Sequence, residues 1–205
     1  MHRNIGKDWT TMHLKKSGLA LIAVALATPI AFLPPLAAKF DPIALFSQYL
    51  GMAALIAMAI TQIIATRFKF VEFLFGGLDR SYILHKWLGI GAMVAILLHD
   101  TIDAEMRDIG AETLLVEVAE TAGEISLYGI LILIIISIAT FIPYHLWMWT
   151  HRLMGTFFAL SAFHYFFILK PFSNLDALGA YVGVFCILGM LSYVYKLLPQ
   201  AARNV

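Results

Sequence analysis

Four histidines stand inside apolar runs: His85 and His99 in HKWLGIGAMVAILLH, and His151 and His164 in HRLMGTFFALSAFH. Neutral imidazole is a common ligand for iron. The first pair is 14 residues apart. On a helix that is roughly 21 Å of rise, and the second ring returns to within about 40° of the first. A bilayer core is about 30 Å thick, so one helix would show an imidazole near each membrane edge, on one face. The second pair is 13 residues apart. That puts His164 about 140° from His151 on an ideal helix, so a local distortion is expected there. The two runs open alike, His85-Lys86-Trp87-Leu88-Gly89 and His151-Arg152-Leu153-Met154-Gly155. A residue four positions on shares the face of its histidine. Glycine there, Gly89 or Gly155, leaves room for a flat group against the backbone. Two such helices can hold two stacked haems, one between His85 and His151 and one between His99 and His164.

An ionisable residue inside a span costs a few kcal/mol, by about the same measure for each. Interhelical hydrogen bonding would explain one or two such histidines, not four in a shared pattern. Two other readings stay open. One is a histidine-lined transporter or proton pathway without haem; the other is a structural membrane subunit. Lys86 and Arg152 would neutralise haem propionates or meet flavin phosphates, though ordinary positive-inside placement explains them as well. Arg80 reads the same way. Trp87, Trp147 and Trp149 read as an interfacial aromatic belt, and His145 as a loop residue able to substitute for His151.

The elements that must position these residues are membrane spans. Of 205 residues, 61% are apolar and 13% charged, which indicates an all-α, multi-pass membrane protein. The net charge of +1 gives no reason to expect nucleic acid. A single cysteine, Cys186, excludes a disulfide framework. Six spans are expected, at 17–38, 42–66, 81–102, 125–142, 147–169 and 176–198, flanked by a polar tail over 1–16 and a C-terminal tail or linker start over 199–205. Pro29, Pro34 and Pro35 predict a kink or early end in the first span. An acidic loop follows the third, with Leu114, Leu115 and Val118 marking a short amphipathic surface helix. If both termini are cytoplasmic, eleven of the 14 Lys and Arg lie inside, and only Lys39, Arg107 and Lys170 lie outside. The His85 level is then cytoplasmic and the His99 level outer.

His85, Gly89, His99, His151, Gly155 and His164, with the phrase from Gly76 to Arg80 that leads into His85, resemble the ferric reductase-like transmembrane domain. That group includes ferric reductases, NADPH oxidases and the haem subunit of the bacterial methionine sulfoxide reductase system. The Gly76–Gly89 stretch is most similar to bacterial members fused to a ferredoxin-reductase-like module. The resemblance spans about residues 15–198. It implies two bis-histidine b-type haems carrying electrons from cytosolic NAD(P)H, through FAD, to an acceptor on the outer side of a bacterial inner membrane. It makes the chain the membrane component of an oxidoreductase. No G-x-G-x-x-G follows a strand, so FAD and NAD(P)H belong to a flavoprotein partner or a C-terminal domain, the latter favoured. Lys170-Pro171-Phe172-Ser173 resembles the His-Pro-Phe-Ser/Thr flavin motif of related enzymes, but falls on the outer side and is taken as coincidence.

Overall fold

The computed structural model describes residues 15–102, 109–139 and 141–199. Residues 1–14 of the polar tail, the segment 103–108 with Arg107, and residues 200–205 lie outside the described residues. Among the described residues every regular element is helical.

The first span is broken, as its prolines require. α1 (Lys16–Ala27) passes into a 3₁₀ turn (Thr28–Phe32) and a short α2 (Pro34–Ala37). α3 (Pro42–Ala65) then starts sharply. Pro42 fills its first position, where no N–H is needed, and the Asp41 carboxylate accepts from the N–H groups of Ile43 (2.7 Å) and Ala44 (3.0 Å). A short α4 (Lys69–Phe75) ends on Gly76 and Gly77, both at positive φ (94° and 107°), which only glycine adopts cheaply. α5 (Leu78–Thr101) follows and carries His85 and His99.

α6 (Leu114–Ile138) is longer than its apolar run. The sequence suggests a separate surface helix near Leu114 and a span beginning at 125; the structure joins them into one rod. Thr113 accepts from the Val116 N–H (3.4 Å) at its start, and Glu117 in the first turn suits the positive end of the helix dipole.

The expected fifth span is likewise not one helix. It is α7 (Tyr144–Arg152) and α8 (Met154–Phe167), parted at Leu153. There the ψ angle relaxes to −14°. Leu153 N–H bonds to the Thr150 carbonyl, and Thr156 N–H to that of Leu153, each at 3.0 Å and three residues back. Such tight turns advance about 20° more per residue than an α-helix. That supplies part of the rotation which the 13-residue spacing lacks. Among the described residues five helical stretches are each long and apolar enough to cross a membrane: Lys16–Ala37, Pro42–Ala65, Leu78–Thr101, Leu114–Ile138 and Ala177–Leu197. The last is α9.

The helices form two antiparallel pairs. α3 backs α5, and α6 backs α8, with only light packing of α5 on α6. α9 packs mainly on α3 and also on α8, tying the pairs together from behind. Phe158, Ile56, Val182 and Cys186 are fully buried along that seam. α5 buries only Ser81, Leu84 and Ala92, leaving the rest of its surface less covered.

Candidate redox-ligand site

Each histidine-bearing helix lies beside a backing helix that fixes the histidine rings. Ser47 and Thr61 on α3 are 14 residues apart, as are His85 and His99 on the antiparallel α5. The match puts one polar position opposite each imidazole. The Nδ1–H of His85 donates to the Thr61 carbonyl (3.1 Å). That of His99 reaches the Ser47 carbonyl (2.8 Å) and hydroxyl (2.9 Å), while the same hydroxyl donates to the His99 carbonyl (3.0 Å).

The second pair repeats the device on α6. The Nδ1–H of His164 donates to the Ala119 carbonyl at 2.9 Å. The His151 partner is a side chain, the Ser137 hydroxyl, at 3.1 Å. That hydroxyl donates to the Leu133 carbonyl (2.7 Å), so it accepts from His151. Trp147 stacks on the His151 ring at 5.0 Å and 12°, and donates its indole N–H to the Ser137 carbonyl (3.3 Å).

All four imidazoles therefore carry the proton on Nδ1, which places the lone pair on Nε2. A hydrogen bond at the far nitrogen is how proteins set the tautomer and aim of a metal-binding histidine. The rings also come together by level. His85 and His151 lie with centres 6.0 Å apart, tilted 57°. Two imidazoles gripping one ion from opposite sides at about 2 Å per bond have ring centres roughly 6 Å apart, so the first separation fits one iron. Among the described residues no three or more His, Cys, Asp or Glu gather as a metal cage. A pair of imidazoles is a donor set that would suit the iron of a porphyrin.

Glycines shape the site, though not only those the sequence singles out. Beside Gly89 a Cβ would meet nothing within 4 Å, so open space lies one turn along from His85. Gly155 is buried against the Tyr193 ring of α9 and serves helix packing there. The glycines in contact with imidazoles are on the backing helices. A Cβ on Gly51 would stand 3.2 Å from His99 Nε2, and one on Gly123 would stand 2.5 Å from His164 Nδ1. Sequence reasoning missed both, along with Ser47, Thr61 and Ser137. Their signal is small or polar residues inside apolar spans with no cap or turn to explain them.

The neighbouring cations have other partners. Lys86 lies over the exposed Trp87 ring at 5.3 Å, and Arg152 over the exposed Trp149 ring at 5.3 Å. Arg80 folds back over Gly76. His145 is exposed on the first turn of α7. At the other end, Lys170 is half-buried and lies within electrostatic reach of His164. Burial pushes its ammonium down to about 8, so it is mostly charged at pH 7.

Comparison with protein families matches residues 50–162 to the family described as ferric reductase like transmembrane component. The match covers more than half of the chain and takes in His85, His99 and His151. No curated protein matches the chain.

Proposed function

The chain belongs to the ferric reductase-like transmembrane family, and on that premise we propose that this integral, multi-pass membrane protein carries single electrons across the bilayer through two b-type haems. The observation that carries the reading is the uniform treatment of the imidazoles: four in apolar helices, each with Nδ1 tied to a backing helix so that the lone pair falls on Nε2. His85 and His151 would hold one haem, and His99 and His164 the other. A haem with two imidazole ligands supplies reversible one-electron exchange and has no open position for oxygen.

The residues of the chain do the rest. The Thr61, Ser47 and Ala119 carbonyls and the Ser137 hydroxyl fix ring tautomer and direction. Hydrogen bonds of this kind also raise the basicity of the ligating nitrogen. Gly51 and Gly123 let two of the rings lean against the backing helices. The apolar rods keep water from the levels between. In this reading α7 and α8 together make a sixth span, both termini face the cytoplasm, and the His85 level is the inner one. Electrons come from NAD(P)H through a flavin on that side, in a partner or a C-terminal domain, and leave to an acceptor on the outer side of a bacterial inner membrane.

The test is the absorption spectrum of the purified protein with haem quantification. Low-spin b-type bands at about two haems per chain are expected. His99→Ala or His164→Ala should remove one haem and leave the other reducible by dithionite. A colourless protein that moves protons or solute would instead establish the histidine-lined pathway.

A further inference from the structure

Lys170 sits just past the end of α8, six residues beyond His164. Its ammonium donates to the Tyr165 carbonyl at 2.7 Å. It lies over the Tyr165 ring (4.8 Å to the centre) and towards the Phe172 ring (6.0 Å). These contacts hold the charge in place, where most surface lysines swing out to water. The bland account is a C-terminal cap: the last carbonyls of a helix lack partners and its end carries partial negative charge. Asn174 does only that, donating to the Phe166 carbonyl at 2.8 Å. Lys170 differs in carrying a charge, and it is anchored on the carbonyl of Tyr165, the residue next to His164.

A fixed positive charge beside a redox centre favours the state with one more electron. Opposing it, the Asp100 carboxylate belongs to the residue that directly follows His99. Asp100 is exposed, whereas Lys170 is half-buried. Water and salt screen an exposed charge far more than a partly buried one, so the lysine should dominate.

We propose that Lys170 is a positioning residue for the His99–His164 level, a fixed cation that raises the electron affinity of that level relative to the His85–His151 level. The inference rests on the haem reading above. Its effect is a downhill bias for electrons moving from the first level to the second. It also gives the lysine of the Lys170-Pro-Phe-Ser173 phrase a role unrelated to flavin.

The experiment is spectroelectrochemical titration of the purified protein at pH 7. The component belonging to the His99 level is identified as the one missing from His164→Ala. Lys170→Gln keeps a donor for the Tyr165 carbonyl and loses the charge. It should lower the equilibrium constant for reducing that component by about three- to tenfold, where tenfold equals 59 mV for one electron. Lys170→Arg should restore the wild-type value, and the other component should not move. Asp100→Asn should shift the same component the opposite way by less. If Lys170→Gln does not accumulate, Lys170→Met removes the same charge. Two bound haems with unchanged potentials, or a loss of thermal stability alone, would reduce Lys170 to a cap and overturn the inference. A wild-type protein without haem would instead overturn the reading beneath it.

Discussion

The two histidine levels solve one problem with different materials. At the His99 level both imidazoles are held by main-chain carbonyls, those of Ser47 and Ala119, and both press on glycines, Gly51 and Gly123. At the His85 level one ring is held by the Thr61 carbonyl, but His151 depends on the Ser137 hydroxyl and the Trp147 ring. α7, which carries His151, buries no residue fully. Apart from the Ser47 hydroxyl on His99, the His99 level thus depends on side chains that are absent, whereas the His151 half of the other level depends on side chains that are present. Adding atoms should damage one; removing atoms should damage the other.

The strongest test of that contrast is Gly123→Leu. Its Cβ would stand 2.5 Å from His164 Nδ1, so the ring could not stay where it is. The haem of the His99 level should be lost, with about 1–3 kcal/mol of overpacking strain. Haem stoichiometry should fall by half and thermal denaturation should move down. Retention of both haems would show that His164 can turn away and still ligate. Next is Ser137→Ala. It deletes the hydroxyl that accepts from His151 Nδ1, and losing such a partner typically weakens metal binding about 10–100-fold. Competition with apo-myoglobin for haem should show the His85 level releasing first.

A smaller effect is expected of Trp147→Leu, which keeps apolar bulk but loses the stacked ring and the indole N–H. About 1 kcal/mol is at stake, visible as broadened low-spin signals from that level in electron paramagnetic resonance. The smallest belongs to Thr61→Ala. The Thr61 hydroxyl bonds back to the Met58 carbonyl, at 2.6 Å, while His85 uses the carbonyl. Haem content and potentials should therefore stay at wild-type values. A loss comparable to that of Ser137→Ala would erase the distinction between main-chain and side-chain support.

The histidines and their levels were readable because type and spacing alone place them on helix faces. The tight turn at Leu153 was readable in kind, since a 13-residue spacing cannot face one way on an ideal helix. Its consequence, two helices where a single fifth span is expected, was not. The start of α6 was hidden by composition. Glu117, Glu120 and Glu124 look like loop, yet they lie within the rod that brings Ala119 and Gly123 to His164. The hydrogen-bond partners of the rings were hardest to see, because three of the four are wholly or partly carbonyls, which every residue has. Gly155 shows the converse hazard: its position in a repeated motif suggests a cofactor contact, but tertiary packing sets it against Tyr193.

The equal intervals on α3 and α5 act as a gauge. The distance between the two imidazole levels is counted out in residues along paired rods, so a change in loop length does not stretch or shorten it. One residue deleted from α3 between Ser47 and Thr61 would put that gauge out of step with α5 and leave at least one imidazole misdirected, although every ligand remained in the chain. Loops and ends could change while that interval, set by the rods alone, stays the same.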